Sequence, residues 1–120
     1  MLEIKIPRPD ENTKKFFNSV LPTDPSVKVR PMFGNVSSFV NGSMFMGLFG
    51  NDLFLRLSDK DNHELLENGG VVLEPMKGKP MKDYTLIPKT WSNEPSKVRL
   101  CTSKSLAWAS KLPERKKSNS

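Results

Sequence analysis

The chain contains few of the residues that most often perform chemistry. Its 120 residues include one cysteine, Cys101, and one histidine, His63. A single cysteine excludes an internal disulfide and any metal site built from several thiolates. No apolar run approaches the roughly 20 residues of a membrane-spanning helix. The opening MLEIKIPRPD also lacks the apolar segment of a secretory signal. We therefore expect a cytoplasmic protein without a membrane span.

Positive charge is concentrated in the second part of the chain. The formal net charge is +6, yet residues 1–70 carry one more acidic than basic side chain, so the whole excess lies in residues 71–120. Such a basic half can contact an acidic partner, nucleic acid included. Four lysines around a predicted turn are the candidates for this contact: Lys77, Lys79, Lys82 and Lys89. The alternative is a solvated face that keeps a small domain soluble.

The spacing of apolar residues predicts a single domain over residues 1–112. Residues 1–9 are expected to form an extended arm, and residues 113–120 a disordered basic tail. The predicted helices span about 10–21, 59–68 and 93–112, and the predicted strands about 27–34, 36–40, 43–49, 53–57, 71–73 and 81–87. Asn41-Gly42 is typical of a two-residue hairpin turn. The fold class is therefore α+β, a two-layer sandwich of an antiparallel sheet and helices.

The two central strands are apolar on both faces. Strict alternation places Phe45, Phe49 and Phe54 on one face. The opposite face then holds Met44, Met46, Leu48, Leu53, Leu55 and Leu57. We expect the helices to cover the Met/Leu face, which is the more continuous one. The Phe face is then a homodimer or partner interface, unless the long last helix covers it.

The last predicted helix has one continuous stripe. Its members are Val98, Cys101, Ser105, Trp108 and Leu112. We expect Trp108 to be largely buried against the sheet.

No constellation in the sequence resembles a catalytic or metal site. His63 lies on a polar helix without a residue to orient it, and Cys101 falls on an apolar stripe where thiols are commonly inert. The acidic cluster in residues 59–64 lacks the spacing of a calcium loop. We expect no catalytic residue, no metal and no cofactor. Arg30 could instead bind a carboxylate, either of the domain itself or of a partner.

Several short motifs occur in order between Val29 and Trp108. They are R-x-MFG (Arg30, Met32, Phe33, Gly34), N-G-x-MF (Asn41, Gly42, Met44, Phe45), L-x-LRL (Leu53, Leu55, Arg56, Leu57), Tyr84 with Pro88, and Leu106-Ala107-Trp108. On these residues the chain resembles the N-terminal domain of the TfoX/Sxy family of competence regulators. Asn35 departs from the family pattern, in which a further glycine is common after MFG.

The resemblance implies a fold and a role. The fold is a two-layer α+β domain of the secretion-chaperone-like type, in the order helix, three or four strands, helix, two strands, helix. The family's regulators activate competence genes together with a transcription activator, and they carry a second, helical domain. This chain ends soon after Trp108, so we expect the stand-alone N-terminal domain.

Three functions remain open at this point. The first is a non-enzymatic regulatory domain that binds a protein partner or a second copy of itself. The second is direct nucleic-acid binding through the basic half. The third is a small enzyme or ligand-binding domain with a pocket near Arg30, Arg56 and Tyr84.

Overall fold

The computed structural model describes residues 7–32 and 35–112, with Met32 described by its backbone alone. Phe33 and Gly34, most of the predicted arm and the predicted tail lie outside the described residues. The elements in chain order are α1 (Glu11–Val20), β1 (Lys28–Met32), β2 (Asn35–Val40), β3 (Ser43–Phe49), β4 (Asp52–Arg56), α2 (Asp59–Glu67), β5 (Val71–Met76), β6 (Lys79–Leu86), a 3-10 helix (Lys89–Asn93) and α3 (Pro95–Ser110).

The described strands form one antiparallel sheet of six strands in the order β1-β2-β3-β4-β6-β5. Strands that follow one another in the chain are neighbours in the sheet, except that β4 pairs with β6 and not with β5. In the chain, α2 lies between β4 and β5. The α+β class predicted from the sequence is confirmed. The alternation of helices and strands also follows the order that the resemblance implies.

The turn between β2 and β3 has the backbone that Asn-Gly predicts. Asn41 has φ 51° and Gly42 has φ 77°, while Val40 and Ser43 pair across the turn. A side chain with a Cβ is strained in this left-handed region, least so for asparagine. The turn therefore fixes the register at the start of β3.

Gly42→Val is expected to lower the free energy of unfolding by about 1–3 kcal/mol. Gly42 is exposed, so the loss comes from backbone strain and not from lost contacts. Lys28→Val, on the exposed edge strand β1, introduces the same side chain in extended backbone and serves as the control. Urea denaturation of both variants checks this. Equal midpoints would show that the turn does not need a positive φ.

A β-bulge in β3 changes which residues share a face. Ser38 pairs with Met46, but the next residue of β2, Phe39, pairs with Met44. Phe45 is therefore the extra residue, and alternation is interrupted there. Phe45 and Met46 both enter the core on the helix side, whereas Met44 packs on the other side. The predicted grouping of Phe45 with Phe49 and Phe54, and of Met44 with the Met/Leu face, is wrong for this reason.

The main core lies between the sheet and the three helices. Its buried members are Phe17, Val20, Val40, Phe45, Met46, Leu48, Leu53, Leu55, Leu57, Leu65, Ile87, Val98 and Ala109. Apart from Met44, the whole predicted Met/Leu face belongs to it. The prediction that the helices cover this face is therefore confirmed.

A second, smaller cluster closes the opposite face of the sheet. Phe54, Leu73 and Tyr84 are buried there, at 4, 3 and 8% exposure, with Met44, Phe49 and Leu86 half-buried beside them. The rings of Phe54 and Tyr84 meet edge to face at 5.6 Å. The Tyr84 hydroxyl donates to the Met44 carbonyl over 3.0 Å, which brings the ring across β4.

Gly47 allows the Phe54 ring to lie against β3. A Cβ at Gly47 would be 2.6 Å from Phe54 Cζ, which is closer than atoms can pack. Because Phe45 lies in the main core and Phe54 is buried by its neighbours, the expected open face of three phenylalanines is not formed. The predicted dimer or partner interface on this face is wrong for these two residues, and of the three phenylalanines Phe49 alone remains partly accessible.

The buried stripe of α3 differs from the predicted one. Val98, Thr102, Ser105 and Ala109 are buried, while the predicted members Cys101, Trp108 and Leu112 are only half-buried. Ser105 lies at the centre of this stripe, where its Oγ is 2.7 Å from the Phe45 carbonyl and 2.6 Å from the Arg56 carbonyl. The helix docks with hydroxyls near backbone carbonyls, and Trp108 lies beside this stripe, half-buried and not among its fully buried members.

Ser105→Ala is expected to lower the free energy of unfolding by about 1–3 kcal/mol. The change removes the one hydroxyl proton that Ser105 donates to the buried Phe45 carbonyl or to the partly buried Arg56 carbonyl, both within hydrogen-bond distance of it. Ser103→Ala on the exposed side of the same helix is the matched control. Guanidinium denaturation followed by far-UV circular dichroism checks the pair. Indistinguishable losses would contradict the role of the hydroxyl.

Asn35 holds the end of the N-terminal arm against the sheet. Its side-chain amide donates to the Pro7 carbonyl, and its side-chain oxygen accepts from the Gly50 N–H, both over 2.9 Å. Asn35 is 8% exposed. These two hydrogen bonds explain the presence of asparagine at the position where glycine is common in the family.

Candidate interaction surface

The far end of the β5–β6 hairpin extends beyond the rest of the sheet. β4 pairs with β6 only from Tyr84 to Leu86, because β4 ends at Arg56 where the chain turns towards α2. All residues from 74 to 83, here named the ribbon, are exposed. The ribbon is thus a two-stranded segment that is accessible on both faces.

The ribbon leaves the sheet at an irregularity in its own pairing. Val72 pairs with Thr85, but the next residue, Leu73, pairs with Met81. Three residues of β6 lie between those partners, and such an insertion bends a strand pair. Leu73 turns into the second cluster at this point, which anchors the base of the ribbon.

The acidic side chains of the ribbon make contacts within the domain, and its lysines are placed differently. At its ends, the Glu74 carboxylate accepts the Gly78 N–H over 2.6 Å, and Asp83 lies 3.6 Å from Arg56. Between them, Lys77, Lys79 and Lys82 carry three positive charges. Within the described part of the chain no carboxylate lies within 4 Å of these three ammonium groups.

Exposed apolar side chains are also concentrated on this hairpin. Among the described residues five large apolar side chains are exposed: Val29, Val71, Met76, Met81 and Leu100. Three of the five belong to β5 and β6. Met76 pairs with Lys79, and Met81 is two residues further along the same strand, so these three side chains share one face.

Lys89 does not belong to this basic surface. It is the first residue of the 3-10 helix, and its Nζ lies 3.8 Å from the Asp52 carboxylate at the start of β4. The sequence places Lys89 only seven residues after Lys82, but the rest of β6 separates them. The predicted set of four lysines is therefore reduced to the three of the ribbon, of which Lys79 shares the face of Met81 and Lys82 lies on the opposite face.

The two arginines of the predicted pocket lie apart. Arg30 is exposed on the edge strand β1, where its guanidinium carbon is 5.6 Å from the Phe39 ring centre. Arg56 is on β4, 5.7 Å from the Tyr84 ring centre. Two strands separate β1 from β4. The expected pocket shared by Arg30, Arg56 and Tyr84 is therefore wrong, and no described carboxylate lies within ion-pair distance of Arg30.

Two clefts on the described part of the domain lie away from the ribbon. The larger, of about 530 Å³, lies between the start of α1, the β3–β4 turn and the 3-10 helix. Phe16, Leu53 and Ile87 contribute apolar side chains to it. The smaller, of about 220 Å³, lies between α2 and α3, with Cys101 in its wall. Neither is lined by a residue singled out from the sequence as a ligand contact, except Lys89 at the rim of the larger cleft.

Cys101 and His63 are the two reactive side chains that the sequence singled out. Burial is the main cause that raises the pKa of the Cys101 thiol, and Asp61 adds to it, although Lys104 acts in the opposite direction. A raised pKa keeps the thiol protonated and weakly nucleophilic. His63 lies 3.7 Å from Glu67 on the exposed side of α2. Across residues 7–32 and 35–112, no three His, Cys, Asp or Glu side chains converge as metal ligands would.

These features define a class of protein: an α+β domain with one helix-covered antiparallel sheet and a basic, partly apolar ribbon at its end. A family model described as the TfoX N-terminal domain matches residues 20–109. The chain belongs to this family, which is associated with competence regulation. No curated protein matches the sequence. In the described part of the chain, no helix is long and apolar enough to cross a membrane.

Most of the described motif residues that suggested this family lie in a turn, in the two apolar clusters or at half-buried positions. Asn41 and Gly42 form the β2–β3 turn, Phe45 and Leu55 are fully buried, and Tyr84 closes the second cluster. Pro88 precedes the 3-10 helix and is half-buried, as is Trp108. The ribbon, by contrast, was visible in the sequence only as a basic turn between two strands. Its projection from the sheet depends on how far β4 extends along β6, and this non-local pairing leaves no signal in the hairpin sequence.

Proposed function

We propose that the protein is a non-enzymatic regulatory domain that acts in the cytoplasm by binding a protein partner. The observation that supports this most directly is the exposure of Val71, Met76 and Met81, at 58, 49 and 37%, on one hairpin. Apolar surface held in water favours association with another apolar surface. Within the part of the chain that the structure describes, these three side chains stay exposed to solvent.

Family membership supports a regulatory role. The family is associated with competence regulation, and a partner in transcription control fits that association. Regulation through a partner requires an accessible surface and no reaction chemistry. The ribbon supplies the surface, and the protonated thiol of Cys101 and the solvated His63 suit a domain that performs no catalysis.

A photo-crosslinking residue at position 76 tests the proposal in the cells that naturally express the protein. p-Benzoylphenylalanine in place of Met76 is expected to form a covalent adduct that survives nuclease treatment. The same residue in place of Ser103, exposed on α3, is the control and is expected to form none. Circular dichroism of both variants verifies folding.

Two outcomes would contradict the proposal. Equal adduct yields at positions 76 and 103 would mean that the hairpin has no preferred partner. An adduct that disappears on nuclease treatment would overturn the protein partner and favour nucleic-acid binding, which the three lysines could also serve.

A further inference from the structure

We propose that the ribbon docks an acidic amphipathic protein segment, in which carboxylates alternate with large apolar side chains. This inference rests on the proposed function, because it names the class of partner that the same surface binds. The ribbon is defined, as above, by residues 74–83.

The charge of the ribbon favours an acidic partner. Lys77, Lys79 and Lys82 fall within six residues, and both nearby carboxylates, of Glu74 and Asp83, already have partners in the domain. Asp83 is offset by Arg56, whereas Glu74 keeps its charge because its partner is a neutral N–H. The three lysines still outnumber the carboxylates of the ribbon, so a partner carboxylate meets net positive charge. Such complementarity contributes most to the association rate and to the choice of partner.

The apolar side chains favour a protein over a nucleic acid. Met76 and Met81 lie on the face of Lys79, at 49 and 37% exposure. Methionine is flexible and adapts to apolar partners of different shape. Phosphate groups would gain nothing from these thioethers. The ribbon sequence EPMKGKPMKD also contains no arginine and no aromatic residue, which are the usual contacts for bases.

Two prolines indicate that the partner is held by side chains. Pro75 and Pro80 lie on opposite strands of the ribbon, and each lacks the N–H that a strand added at the edge would need. Pairing of a further strand along the ribbon is therefore interrupted on both sides. The docked segment does not have to be extended, and a helix with acidic and apolar residues satisfies the same surface.

Fluorescence anisotropy with three labelled probes tests the inference on the full chain. The first probe is a peptide of about 15 residues with leucine at every third or fourth position among aspartate and glutamate. The second has serine in place of each leucine, and the third is a duplex DNA of about 20 base pairs. The leucine peptide is expected to bind at least about tenfold more tightly than the serine peptide.

Two ribbon variants and one control separate charge from apolar contact. Lys77→Gln/Lys79→Gln/Lys82→Gln is expected to weaken leucine-peptide binding about tenfold at low salt and to remove most of its salt dependence. Met76→Ser/Met81→Ser is expected to weaken it by a similar factor at every salt concentration. The control Lys15→Gln/Lys60→Gln/Lys111→Gln removes three exposed lysines elsewhere and is expected to change it less than about twofold.

The results that would contradict this inference differ from those that would contradict the proposed function. Equal binding of the two peptides, or equal effects of the two lysine triples, would overturn the inference. So would duplex DNA that binds more tightly than the leucine peptide and is insensitive to the methionine changes. Failure of both peptides together with a protein adduct at position 76 would overturn the acidic segment while leaving the proposed function in place. Thermal melts of all variants exclude unfolding, since every changed residue is exposed.

Discussion

Phe45→Ala is expected to lower the free energy of unfolding by about 3–5 kcal/mol, the range found for large aromatic truncations in cores. Phe45 is 0% exposed and packs in the main core, where the bulge in β3 directs it towards the helices. Its removal leaves a cavity beside Met46 and Leu55, which β3 and β4 cannot fill without breaking their pairing. Guanidinium denaturation measures the change, with the free energy of unfolding falling at the same slope against denaturant concentration in the variant and the parent protein.

Phe49→Ala is the matched control for this prediction. The same side chain is removed from the same strand, but Phe49 is half-buried on the opposite face of the sheet. We expect a loss of about 1–2 kcal/mol there. If β3 had no bulge, Phe45 and Phe49 would share a face and similar burial. Equal losses for the two variants would therefore contradict the bulge as well as the burial of Phe45.

Elements were predictable wherever a local chemical signal fixes the backbone. Asn41-Gly42 identified its turn because few other pairs tolerate two successive positive φ angles. The helix predicted over about residues 59–68 begins where expected, at Asp59, and the Ser58 hydroxyl caps it by accepting the Asp61 N–H over 3.2 Å. The lengths of α1, β2, β3 and α2 follow from such signals and from apolar periodicity, and they agree with the structure to within one or two residues at most ends.

The bulge could not be predicted because its strand is apolar at nearly every position. In SMFMGLF an inserted residue moves phenylalanine to one face and methionine to the other, and both residues suit either face. Alternation of polar and apolar residues, the usual guide to register, is missing there. One such shift was enough to misassign Met44 and Phe45, and with them the expected interaction surface.

The candidate site was missed in a different way. Lys77, Lys79 and Lys82 were recognised as basic, but exposure of Met76 and Met81 depends on β4 ending at Arg56, about 20 residues earlier in the chain. Non-local pairing of this kind leaves no pattern within the hairpin sequence. In α3 the difficulty was the opposite one, since its buried stripe includes the polar residue Thr102, which the predicted stripe left out in favour of its neighbour Cys101.

Val98→Asp is expected to lower the free energy of unfolding by about 3–5 kcal/mol near neutral pH, because it places a carboxylate without a partner in the core. Val98 is 0% exposed and begins the buried stripe of α3. Leu100→Asp introduces the same charge two residues further along the helix, at 58% exposure. We expect less than about 0.5 kcal/mol there, as for most surface substitutions.

The pH dependence of the two variants gives a second, independent readout. Burial raises the pKa of a carboxyl group at position 98 in the folded state, so the folded protein binds the proton at a higher pH than the unfolded chain does. The deficit of Val98→Asp relative to the parent protein therefore shrinks as the pH falls from about 7 to about 4. An exposed Asp at position 100 has nearly the same pKa in both states and shows no such recovery. A deficit of Val98→Asp that stays constant over this range would mean that position 98 is hydrated, and that α3 docks on the sheet through another face.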